Sequence, residues 1–169
     1  LAADITGAGT FRKSGTQRMT LTGANTWTGG TIVEDGTLQA GNAGAFTDNT
    51  DYVINGGVLA LNNFDRTMSS LSGTGGTLAL GSADLTIDQE MNTGFAGNIT
   101  GTGSFTKQGS GTLVLTGTNS YSGGTLVLQG ALQGNSSSLQ GDILNNGAVV
   151  FDQDGIDGTY GGDMDGSGM

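Results

Sequence analysis

The sequence predicts an all-β chain wound as a solenoid of stacked coils, and three observations carry that expectation. A segment of more than thirty residues occurs twice. The apolar residues fall in short runs with a spacing of two. Gly is abundant, at 34 of 169 residues, while Pro is absent.

The repeat decides most. Ile5 to Gly41 reads ITGAGTFRKSGTQRMTLTGANTWTGGTIVEDGTLQAG, and Ile99 to Asn135 reads ITGTGSFTKQGSGTLVLTGTNSYSGGTLVLQGALQGN. The two align without a gap, and roughly half the positions are identical, with like-for-like changes such as Trp27 against Tyr121 and Met19 against Leu113. A third copy begins near 160, where Tyr160 to Gly168 lies over Phe95 to Gly103. It runs to the end of the chain, so the expected natural protein continues with a further repeat. Weaker relatives sit between, at Gly56 to Leu61, Gly75 to Leu80, Asp84 to Asp88 and Gly147 to Phe151. We therefore expect one β-helical segment over 1–169.

Within each copy the runs are strand-like. In TLVLTG from Thr112, TLVLQG from Thr125 and TIVEDG from Thr31, apolar residues stand two apart, the period of a strand with one buried face. Gly or Asn bounds each run and suits a corner. No stretch keeps a 3.6-residue period for ten residues, so helices are not expected. Short strands also fit a sandwich or a barrel. The repeats argue against both, as does the lack of long alternating strands joined by Asn-Gly hairpins, although Asn55-Gly56 and Asn146-Gly147 are present. At roughly 20 residues per coil and about 4.8 Å between coils, the chain would make about eight coils and a rod on the order of 40 Å long.

Composition narrows the function. Average usage would give roughly 12 Gly and about 8 Pro. Without Pro every residue keeps a backbone N–H, which suits strands paired on both edges. There is no Cys, so no disulfide staples the fold, and there is no His. The formal net charge of −10, from Lys+Arg 5 and Asp+Glu 15, repels phosphate. Nucleic acid and anionic membranes are therefore poor partners. No apolar run approaches the roughly 20 residues of a membrane-spanning helix, and no signal peptide is recognisable. A secreted protein would make this an internal segment.

The segment GSFTKQGSGTLVLTGTNSYSGGTLVLQGALQG resembles the passenger-associated transport repeat of bacterial autotransporters, also called the autotransporter-associated β-strand repeat. The matching positions are Gly101, Gly103, Phe105, Lys107, Gly109, Thr112 to Gly117, Asn119, Tyr121, Gly123, Gly124, Thr125, Gly130 and Leu132. The first copy matches at Gly7, Gly9, Phe11, Lys13, Gly15, Leu21, Gly23, Asn25, Trp27, Gly29, Gly30, Thr31, Gly36 and Leu38, and departs at Thr16-Gln17-Arg18. The resemblance implies a right-handed parallel β-helix and a Gram-negative origin. It also implies display at the cell surface or secretion, after export through the parent chain's own C-terminal outer-membrane barrel. On that basis the expected function is structural: a stalk that supports export, folding and surface display, with adhesion to a host surface or self-association. The alternative is a spacer serving a protease or other catalytic domain elsewhere in the parent chain.

Catalytic signals are weak. Without His or Cys, Ser–His, Cys–His and most zinc chemistry fall away. Lys13 and Lys107 formally allow a Ser–Lys pair, but they share one repeat position, so a structural or solvent-facing role is expected. Carboxylate pairs for glycoside cleavage are formally available among Asp84, Asp88 and Glu90, and among Asp152, Asp154 and Asp157. Such residues are also ordinary turn formers, and aromatic platforms for sugar are scarce. The stretch from Asp152 to Asp157 fits neither an EF-hand nor an RTX loop, leaving weak Ca²⁺ binding as its only metal reading. Trp27 and Tyr121 are expected to pack at a coil corner, with Asn25 and Asn119 hydrogen-bonding the backbone there. We expect no enzyme activity, no cofactor, no metal and no small-molecule substrate.

Overall fold

A computed structural model describes residues 1–155 and 157–169. Among them every strand pairing is parallel, and no helix occurs. The chain is a parallel β-helix with three faces, visited in constant order as it climbs.

The first face holds strands Thr6–Gly7, Thr26–Trp27, Arg66–Met68, Leu85–Asp88, Phe105–Gln108, Thr125–Val127, Ile143–Asn145 and Met164–Asp165. The second holds Phe11–Lys13, Thr31–Val33, Asp51–Ile54, Ser70–Ser72, Thr93–Phe95, Thr112–Leu115, Ala131–Gly134 and Ala148–Phe151. A single bridge, Gly73 to Phe95, joins its two halves. The third holds Arg18–Leu21, Thr37–Ala40, Val58–Ala60, Thr77–Gly81, Asn98–Gly101 and Ser120–Tyr121. The eight strands of the second face mark about eight coils, with a rise of roughly 35 Å at the usual strand spacing.

Register sets the core. On the third face Met19, Leu38, Leu59, Leu78 and Ile99 stand one above another. On the first face Leu85, Phe105, Thr125 and Ile143 form a second such column. Alternate residues point inward, so a run such as Thr112–Leu115 buries Leu113 and Leu115 and leaves Thr112 and Val114 partly open. The inward columns merge into one core, with Trp27, Phe46, Tyr52, Phe95, Phe105 and Tyr121 as its largest members.

The two sequence copies do not occupy the same faces. Phe11–Lys13 lies on the second face, but its counterpart Phe105–Gln108 lies on the first. Likewise Arg18–Leu21 belongs to the third face and Thr112–Leu115 to the second. The copies are thus separated by four coils and two further faces, and equivalent side chains are turned by a third of a revolution about the axis. Sequence alone carries no mark of this, because the three faces accept the same alternation.

The column on the third face gives a direct test. Leu78 is fully buried between Leu59 and Ile99. Leu78→Ala is expected to cost about 2–5 kcal/mol in chemical denaturation, the range for truncating a packed core leucine.

Candidate functional site

A parallel ladder satisfies backbone groups along a face and leaves them open at corners, where the chain turns. The side chains shared by the two copies act at those corners. Lys13 and Lys107 are both buried, which removes the solvent-facing role and leaves the structural one. Lys13 Nζ donates to the carbonyls of Ser14 at 3.0 Å and Gly15 at 2.5 Å in its own corner, and to Asp35 at 2.9 Å in the coil above. Lys107 Nζ repeats this with Gln108 at 2.7 Å, Gly109 at 2.8 Å and Gln129 at 3.5 Å. An ammonium with three donors on a long apolar stem suits three converging carbonyls. Burial lowers the Lys107 pKa from its ordinary value, against the opposing pull of Asp88 and Glu90.

Asn25 and Asn119 clasp three coils. The amide oxygen of Asn25 accepts from the Ile5 N–H at 2.8 Å below, and its NH₂ donates to the Ala45 carbonyl at 2.7 Å above. Asn119 does the same between Ile99 at 2.7 Å and Ser138 at 2.6 Å. The aromatic neighbours are buried at 2% exposure, which removes them as adhesive surface groups. Trp27 stacks on Phe11, with ring centroids 4.8 Å apart, and its indole N–H donates to Thr31 Oγ1 at 3.2 Å. Tyr121 lies 5.8 Å from Phe105 and shares a 2.8 Å hydrogen bond with Thr125 Oγ1.

Glycine between aromatic and threonine is a steric requirement. A Cβ on Gly123 would lie 2.5 Å from the Gly103 carbonyl carbon in the coil below, and Gly124 has a φ of +86°. Neither close approach nor left-handed backbone tolerates a side chain cheaply.

Among the acidic candidates, Asp84, Glu90 and Asp152 link one coil to the next. Asp84 Oδ1 accepts from Ser104 Oγ at 2.7 Å and from its N–H at 3.3 Å, while the Asp84 N–H donates to Asp65 Oδ1 at 2.9 Å. Glu90 accepts from Ser110 Oγ and N–H, which hold its carboxyl below the ordinary glutamate value. That is opposite to the raised pKa a general acid needs. Asn92, Asn98 and Asp142 accept in the same way from Thr112 at 2.8 Å, Thr118 at 3.0 Å and Asp163 at 3.0 Å, each one coil higher. Asp88, Glu90 and Asp51 border an open groove of about 330 Å³ beside Met91 and Thr93. Asp152 accepts from Gln133 Nε2 at 2.9 Å and from the Asp154 N–H at 3.3 Å. Ile156, inside the candidate calcium stretch, lies outside the described residues. Among the described residues no three Asp or Glu side chains converge to hold a metal ion.

Two supports escaped the sequence reading. Arg66, at 4% exposure, donates to the carbonyls of Phe46 and Ala43 and to Asp48 Oδ1, each at 2.9 Å, while its Nε is buried without a partner. Gln89, fully buried, donates to the carbonyls of Met91 and Thr112, both at 2.9 Å. The only signal for Arg66 was its rarity, as one of five cations. Gln89 gave none.

The geometry defines a class: a β-solenoid built from repeated corner cassettes that bind one coil to the next. The passenger-associated-transport-repeat family model matches residues 11–40 and 105–133, each spanning the lysine, the asparagine, the aromatic and the Gly-Gly-Thr corner. The "Adhesin BmaC autotransporter" of Brucella suis biovar 1 (strain 1330) is 41% identical over 163 residues, covering 92% of this chain and 5% of that protein. The chain therefore spans about a twentieth of the length of that curated relative. No solved structure matches the chain. The chain belongs to the bacterial autotransporter passengers that carry this repeat, which are displayed on or secreted from Gram-negative cells. Within such a passenger it is stalk.

Lys107→Met is expected to lower stability by about 1–3 kcal/mol, because it strands buried carbonyls. The cost should depend on pH. A lowered folded-state pKa means the unfolded chain binds more protons between that value and 10.5, so wild-type stability rises relative to Lys107→Met across this window. Paired denaturation curves near neutral pH and near pH 10 should show the larger difference at the higher pH.

Proposed function

We propose that this segment is a non-enzymatic structural part of its passenger, a rod that folds outside the cell, assists export and holds other parts of the parent chain at a distance. The carrying observation is the unbroken system of links from coil to coil. Side chains at the corners tie successive coils, Asn25 and Lys13 near the start, Arg66 and Asp65 in the middle, and Asn119 and Lys107 further on. Addition of one coil to a finished end would draw chain outward without a disulfide. The parent's C-terminal outer-membrane barrel is the partner this route requires. The name of the Brucella relative supports an adhesive role, toward a host surface or a second passenger. Three of the candidate carboxylates, Asp84, Glu90 and Asp152, are engaged in links between coils, which supports a reading without catalysis, cofactor, metal or small-molecule substrate, and the acidic balance speaks against nucleic acid. The domain reading belongs here too: one β-helical segment with copies at 5–41 and 99–135, and a third beginning near 160. A catalytic domain elsewhere in the parent would leave this segment's role as spacer unchanged.

Excision of residues 1–169 from the parent chain tests this reading. Surface display, measured by antibody and protease access on intact cells, should fall several-fold, and a replacement β-helix of equal length should restore it. Undiminished display after excision would contradict a role in export and folding.

A further inference from the structure

Two Asn-Gly pairs stand in the chain, Asn55-Gly56 and Asn146-Gly147. The first forms the corner between strands Asp51–Ile54 and Val58–Ala60, the second the corner between Ile143–Asn145 and Ala148–Phe151. Both asparagines are exposed. An Asn side chain followed by Gly meets the least obstructed main-chain nitrogen a protein offers, because Gly carries no Cβ. The fold treats that nitrogen differently at the two corners.

At the upper corner it is held. The Gly147 N–H donates to Oδ1 of the buried Asn145 at 3.1 Å, and the Asn146 N–H donates to the Val127 carbonyl at 2.7 Å. The lower corner is looser. There the Gly56 N–H lies 3.4 Å from the Val33 carbonyl, beyond the usual range, and that carbonyl already accepts the Asn55 N–H at 2.9 Å. The Asn55 side chain is slack as well. Its Nδ2 donates to Glu34 Oε2 at 3.4 Å, and its Oδ1 accepts from the Thr74 N–H at 3.4 Å and from Thr74 Oγ1 at 3.5 Å. The matching bonds from the Ser167 N–H and Oγ to Asn146 Oδ1 are shorter, at 3.2 and 3.3 Å.

We propose that Asn55 is a site of spontaneous covalent modification, in which the Gly56 nitrogen attacks the side-chain amide and the residue becomes aspartate or isoaspartate. The Gly56 nitrogen loses its proton and bonds to Asn55 Cγ, and the side-chain nitrogen leaves as ammonia. Water then opens the resulting succinimide at either carbonyl, so no oxidant, reductant or enzyme is needed. The new carboxylate faces Glu34 where a hydrogen bond stood, and Glu34 already pairs with Arg12 at 3.0 Å. A link between successive coils thereby becomes a like-charge contact, which destabilises a pair of strands. The isoaspartate product also lengthens the main chain where there is little room, since even a Cβ on Gly56 would lie 2.4 Å from the Glu34 carbonyl oxygen. The site does not depend on the export role proposed above.

The folded 169-residue chain, held in mildly alkaline buffer, is sampled over time, digested with trypsin and read by mass spectrometry. Cleavage after Arg18, Arg66 and Lys107 puts Asn55 in the peptide 19–66 and Asn146 in the peptide 108–169. Fragmentation should place the mass gain of deamidation at Asn55, about fivefold faster than at Asn146, the rate equivalent of one ordinary hydrogen bond on the attacking nitrogen. In urea, where both corners are lost, the two rates should converge. Asn55→Asp should lower the midpoint of denaturation, and that loss should largely disappear in a Glu34→Gln background. No gain at Asn55 in the folded chain, or one no faster than at Asn146, would overturn the proposal. So would a rate ratio that urea leaves unchanged, because the difference would then belong to neighbouring residues and not to the fold. An unaltered midpoint in Asn55→Asp, or a loss that persists with Glu34→Gln, would overturn the charge effect.

Discussion

Everything in this molecule depends on the hydrogen bond from one coil's backbone to the next. That ladder requires each circuit to close after nearly the same number of residues. Phe11 meets Thr31, Thr31 meets Tyr52, Leu85 meets Phe105, and Phe105 meets Thr125. Pro would remove a rung and a bulky corner residue would push coils apart, which explains the absence of one and the abundance of Gly. Corners are the weak points, because there the ladder stops and carbonyls turn inward. The buried lysines and asparagines answer that problem. An ammonium reaches three carbonyls at once, and an amide offers an acceptor downward and a donor upward.

The same constraint explains how a repeat can change faces. With three nearly equivalent sides, a cassette that satisfies its own corner and the coils beside it needs no particular side of the rod. Lys13 and Lys107 make matching contacts a third of a revolution apart. Features tied to the repeat are therefore distributed around the axis. The loop at residues 43–50 is particular to its own circuit, because Arg66 holds Ala43, Phe46 and Asp48 there.

Much of this was legible in the sequence. The alternation in TLVLTG gives Leu113 and Leu115 their inward direction, and the recurrence of Asn25 and Asn119 beside an aromatic points to a corner role. The lysines were half legible: shared position pointed to a structural or solvent-facing role, but exposure is the ordinary expectation for Lys, and only the converging carbonyls explain its burial. Turn acids read as solvated groups because their acceptor role depends on a backbone N–H one coil away. Gln89 and Arg66 were hidden for the same reason, since their partners come from other circuits. The rotation between the copies was invisible, as sequence offset does not reveal where a circuit closes.

The central claim is that these coil-to-coil links suffice to fold the segment. Far-UV circular dichroism of the isolated 169-residue chain during heating tests it most directly. The account expects a strong β spectrum that is lost in one cooperative transition. A disordered spectrum at low temperature would contradict it, and would mean that the coils hold together only inside the longer rod.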